Sequence, residues 1–283
     1  MLIEEVFFKL KITKRILNMN NSTSTQTNGQ YSLAKILGIW FLAGAPLWIF
    51  GWLVLPAMSR GLLIVDSGLL WMKLMLIGLV WQFVLSMIIL YREEGNIRIA
   101  TIRRRFWLNN PISPKTGQKD NRLWWLLIPL MLLVVVLELG IAPFLNGIWT
   151  NIFPFLVEPQ SRSLDALFAP EMHARWVGAW DFFALFVISS LFNNFLSEEF
   201  LFRGVLLPKM KGVFGKWDWV ANGFIFGLYH LHMPWGIPGN ILFGWLMAFT
   251  AKRFRTNWFP IILHNGQAFY FGFLILGLVL GLA

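Results

Sequence analysis

Apolar runs long enough to cross a bilayer recur along almost the whole chain, and they decide what it can become. A hydrocarbon layer of roughly 30 Å needs about 20 consecutive apolar residues in a helix. Such runs extend from Ile36 to Met58, from near Leu69 through Leu74 to Tyr91 with Lys73 snorkelling outward, and from Leu123 to Leu145. A fourth begins at Phe182, and the last covers Trp258 to Ala283. Two shorter runs, Trp217 to Leu231 and Ile237 to Ala251, are separated by the Pro- and Gly-containing stretch Met233 to Gly239. In lipid every backbone polar group must be satisfied within the element, so runs of this kind fold as helices. The expectation is an all-α, polytopic transmembrane bundle of about seven spans, with six to eight admitted by the two short runs.

Composition agrees: 57% of the 283 residues are hydrophobic and 13% charged, about half the charged share of an average soluble domain. The absence of cysteine excludes disulfides and Cys-based metal or nucleophile sites. A formal charge of +10 could suggest nucleic acid, but the basic residues sit in a few loops between apolar runs. Eight Lys or Arg lie between Arg92 and Arg122, Lys209, Lys211 and Lys216 follow the fourth run, and Lys252, Arg253 and Arg255 follow the sixth. The alternate loops are poorer, with Arg60 in one and Arg162 and Arg175 in another. This positive-inside pattern puts the N-terminus in the cytoplasm and the C-terminus outside, in a plasma (inner) membrane, with lipid rather than nucleic acid as partner.

Residues 1–32 form an N-terminal segment apart from the membrane domain at 33–283. Met1 to Asn18 alternates apolar and basic positions, as in an amphipathic helix lying on a membrane, and Met19 offers an alternative start. Asn20 to Gln30 is rich in Asn, Ser, Thr and Gln and reads as a flexible linker.

Ionisable side chains within spans are costly and are by default functional candidates. The fourth run ends in Asn193, Asn194, Ser197, Glu198, Glu199 and Arg203. Helical spacing places Glu199 with Arg203, and Asn194 near Glu198. A charge cluster where a helix leaves the membrane, tied by Asn to its neighbours, would explain these residues without chemistry. The histidines add weight: of only four, His230 and His264 fall within separate apolar runs. His232 sits in the turn after the fifth run, His173 in an outer loop, and Glu138 in the third run has no evident partner.

These residues resemble a family pattern, that of the CAAX-protease and bacteriocin-processing membrane proteases, also called the Abi family. Glu-Glu-x-x-x-Arg appears as Glu198-Glu199 with Arg203, Phe-x-x-x-His as Phe226 with His230, and a later His as His264. The resemblance covers about 182–271. It implies an intramembrane endopeptidase acting on a membrane-associated, prenylated or leader peptide. Glu198 would be the general base, Glu199 and Arg203 would hold the helix and its field, and His230 and His264 would orient the water or polarise the carbonyl. Position 268 departs from the family, holding Ala where an Asn is usual, with Asn265 or Gln267 as the amides able to replace it. Glu198, His230 and His264 also make up a ligand set used by catalytic zinc, so metal-dependent and metal-free hydrolysis both stay open. The other classes are a non-catalytic scaffold or immunity protein and a proton-coupled transporter, although no inverted repeat is evident for the latter.

Overall fold

The structure, a computed structural model, describes residues 29–163 and 167–282; the amphipathic segment and most of the linker expected before residue 29 lie outside them. Gln30, the last linker residue, is held by Pro208 and Gly212. Ser32 then caps the first helix by accepting from the Lys35 amide.

Among the described residues, five helices are long and apolar enough to cross a membrane: α1 (Leu33–Met58), α2 (Ile64–Glu94), α4 (Asn121–Ile152), α5 (Trp180–Lys209) and α8 (Trp258–Val279). Between them lie a surface helix α3 (Ile99–Arg105) and the pair α6 (Asp218–Tyr229) and α7 (Ile237–Phe254). Large apolar side chains stand exposed around the bundle, among them Leu53, Leu139, Phe155 and Phe273. A surface of this kind needs lipid rather than water as its solvent.

The all-α membrane architecture is as expected; of the roughly seven expected spans, the fifth and sixth runs form helices outside the five that meet the length and hydropathy of a crossing. The turn that begins at His230 stops α6 after 12 residues, roughly 18 Å of rise against about 30 Å of hydrocarbon. α7 has 18 residues and ends in Lys252 and Arg253. Together they form a tight antiparallel hairpin, joined by the short Pro234–Gly236 turn. Glycine makes the close approach possible. A Cβ on Gly223 would stand 2.5 Å from the Trp245 backbone nitrogen, one on Gly227 2.9 Å from that of Ile241, and one on Gly244 2.8 Å from the Gly223 carbonyl.

The basic residues gather at one end of the bundle. Glu93 near the end of α2 meets Lys35 at 3.2 Å, Arg105 at 2.9 Å and Lys209 at 3.9 Å. Lys252 reaches Asp218 and the Lys216 carbonyl, so α6 begins where α7 ends. Asn109 bonds the Arg255 carbonyl and the Asn257 amide the Trp107 carbonyl, which ties the α3–α4 segment to the turn before α8.

Three spans contain a π turn: Phe50–Val54 in α1, Leu137–Ile141 in α4, and two stretches of α5, Phe192–Ser197 and Glu199–Leu206. Such turns add a residue to the helical repeat and are frequent at functional sites. They change which residues share a face. Asn193, five residues before Glu198, lines the same cavity as Glu198. Asn194, expected there from α-helical spacing, is buried and receives a hydrogen bond from the Asn193 amide at 2.7 Å.

Candidate active site

Charge is buried in the second half of α5. Glu198 is 2% exposed, and Glu199 and Arg203 are fully covered. Arg203 donates to Glu199 Oε1 at 3.2 Å and to the Gly244 carbonyl at 3.3 Å, while its guanidinium lies 4.2 Å from the centre of the Phe226 ring. The expected i,i+4 pair therefore forms, with its cation further stabilised by an aromatic face. Removing either charge would leave the other buried and uncompensated, a far larger loss than for a surface pair.

Both intramembrane histidines converge on this pair. His230, at the end of α6, has Nδ1 2.9 Å from the Phe226 carbonyl. A carbonyl can only accept, so Nδ1 carries the proton and Nε2 of the neutral ring presents a lone pair. That Nε2 lies 3.7 Å from Glu198 Oε1. His264, on α8, places Nδ1 3.1 Å from Glu199 Oε1 and Nε2 3.8 Å from Glu198 Oε2. Separations of 3.7 and 3.8 Å exceed a direct hydrogen bond and leave room for a bridging water.

The groups line a cavity of about 240 Å³, shared by Glu138, Asn193, Tyr229, Asn240 and Gln267 among others. Tyr229 was not anticipated from the sequence. Its hydroxyl accepts from the Gln82 amide, which frees its own proton for the Glu198 carboxyl within its reach. His232, by sequence a turn residue, is 4% exposed and stacks on His230 with ring centres 5.5 Å apart. His173 stays outside, half-buried beside the Phe168 carbonyl. The two candidate amides on α8 separate. Gln267 lines the cavity and donates to Glu138 at 2.6 Å, whereas Asn265 turns back to the Ile261 carbonyl of its own helix. Asn265 and Ala268 line a different, largely apolar groove between α5 and α8.

Away from the basic end, Arg162 closes the bundle. Its guanidinium donates to the Gly51 and His232 carbonyls and lies 4.7 Å from the Trp52 ring and 4.9 Å from that of Trp71. Burial lowers its pKa from the usual arginine value, and the carbonyls and ring faces supply what water would otherwise give. Nothing in the sequence set Arg162 apart from other loop arginines.

Among the described residues, no group of three or more His, Asp and Glu side chains is placed to hold a metal ion. The two imidazoles face different oxygens of Glu198. The metalloprotease expectation for Glu198, His230 and His264 thus finds no support in this arrangement.

Fold and site together define a polytopic helical membrane protein with a polar, carboxylate- and histidine-lined cavity enclosed among its spans. Residues 179–270 match the family model of type II CAAX prenyl endopeptidase Rce1-like proteins, and that part of the chain is a domain of this family. Every residue quoted for the resemblance lies inside the match. No curated protein and no solved structure gives a significant match to the chain.

Proposed function

We propose that the protein is an intramembrane endopeptidase that hydrolyses a peptide bond with a water activated by Glu198. One observation carries this reading: a buried carboxyl flanked by two imidazole nitrogens, at 3.7 and 3.8 Å, in a cavity among the helices. A water between them gives one proton to Glu198 and hydrogen-bonds the other to an Nε2 lone pair. Its own lone pair is then directed at a substrate carbonyl. Glu198 later passes its proton to the departing amine. The Gln267 and Asn240 amides are the donors near the developing oxyanion, in a site where fixed dipoles act at short range, while the Tyr229 hydroxyl donates to Glu198. Glu199 and Arg203 act through His264, holding its ring by Nδ1.

The same reading places the basic end in the cytoplasm. The α6–α7 hairpin starts and finishes at that end, so five or seven crossings put the termini on the same opposite sides. Glu198 lies roughly 16 Å before Lys209 along α5, His230 about 18 Å along α6 and His264 about 9 Å along α8. The reaction is therefore set below the headgroups, where a membrane-associated peptide is the substrate class.

The test is hydrolysis itself. Purified protein in liposomes is challenged with a panel of membrane-inserted and prenylated peptides in water enriched in ¹⁸O. Mass spectrometry should find cleaved products with one ¹⁸O in the new carboxylate. Absence of cleavage across the panel would count for the non-catalytic scaffold.

A further inference from the structure

Glu138 is a second carboxyl in the cavity, and the hydrolysis described above does not use it. It lies in the π turn Leu137–Ile141 of α4, near the middle of that span. Its partner is Gln267 at 2.6 Å, a neutral amide, and among the described residues no Lys or Arg lines the cavity. Glu138 is half-buried and Gln267 exposed. The pair therefore stands at a side opening between α4 and α8, and α4 is the least covered of the five long helices, with 6% of its apolar window buried.

A carboxyl at this depth is costly, and a single amide offsets little of that cost. If α4 and α8 needed only a polar tie, Gln at position 138 would supply it without a charge. His264 is close enough to interact electrostatically with Glu138, but its Nδ1 is engaged by Glu199 and its Nε2 faces Glu198. What remains is a carboxyl-bearing wall beside the reacting centre, with no Lys or Arg among the described residues that line it.

We propose that Glu138 is a specificity residue, which binds a cationic Lys or Arg side chain flanking the scissile bond of the peptide substrate. The proposal rests on the endopeptidase reading for its substrate, but not for its electrostatics. A cation entering between α4 and α8 meets the Glu138 carboxylate before the bond reaches Glu198. The same wall repels an acidic side chain, or a free C-terminal carboxylate, held at that position.

Binding is measured on the Glu198→Gln protein, which removes the competing charge and slows turnover by about 10²-fold or more. Fluorescent membrane peptides differing only in Lys, Gln or Glu beside the scissile position are titrated in nanodiscs. The Lys peptide should bind about 10-fold more tightly than the Gln peptide. The ratio should fall to about 1 when Glu138→Gln is added, and Glu138→Lys should favour the Glu peptide instead. Equal binding of the Lys and Gln peptides, or a preference that survives Glu138→Gln, would overturn the proposal. Cleavage of the same peptides by the unmodified protein separates the two readings. A Glu138-dependent preference without any cleavage would leave the cation site standing and remove the endopeptidase.

Discussion

His264 Nδ1 and Glu199 Oε1 lie 3.1 Å apart, and the same carboxylate oxygen receives the Arg203 guanidinium at 3.2 Å. The histidine facing Glu198 is thus oriented by a residue adjacent to Glu198 in sequence, and that residue is held by a cation one turn further on. Ring orientation, local field and helix stability share one buried network.

Arg203→Ala should therefore reduce both stability and cleavage. Leaving Glu199 unpaired costs on the order of 3–5 kcal/mol, read as a fall in thermal midpoint in detergent. Adding Glu199→Gln should return much of that stability but little of the activity, since His264 then lacks its carboxylate. Recovery of both together would show that Glu199 does nothing for His264.

The hairpin depends on contacts without side chains. Gly223→Ala and Gly227→Ala each put a Cβ under 3.0 Å from the backbone of α7, so α6 must move away from α7. The expected result is a loss of about 1–3 kcal/mol from overpacking and a fall in activity beyond the loss of folded protein, because α6 carries His230. Full activity in either variant would show that the His230 position tolerates this shift.

Much of this was legible in the sequence, and the parts that were not have physical causes. Runs of apolar residues report helices directly, because lipid permits little else, and the spacing of Glu199 and Arg203 survived intact. The π turns of α5 were not legible: they have no residue signature, yet they bring Asn193 rather than Asn194 beside Glu198. Tyr229 and His232 were passed over because a short helix and its turn look like a boundary, whereas here that boundary is deeply buried. The Gly223-x-x-x-Gly227 spacing was the available sign that α6 packs backbone to backbone. Gln82 and Arg162 gave no sign, since what distinguishes each is a partner far away in the chain.

Topology follows from the shared basic end. The chain has no cysteine, so single Cys residues introduced near Arg104, Lys211 and Arg253 can be labelled without background. All three should react from the cytoplasmic side, and one near Glu171 from the other. Outside labelling of any of the first three would overturn the orientation.

Chelation addresses the metal question. With the two imidazoles on different oxygens of Glu198, cleavage should persist within about 2-fold after exhaustive treatment with a chelator and removal of bound metal. Loss of activity restored by one equivalent of a transition metal, with that metal retained by the unmodified protein and not by His230→Ala, would replace the water–carboxylate scheme.

The most direct measurement is Glu198→Gln, compared with the unmodified protein in the same membrane preparation. The amide keeps the shape and hydrogen bonds of the side chain but cannot accept a proton from water. The account predicts unchanged or higher thermal stability, since a buried charge has been removed. It also predicts a fall in cleavage of about 10²-fold or more. A folded Glu198→Gln protein that cleaves at the unmodified rate would contradict it.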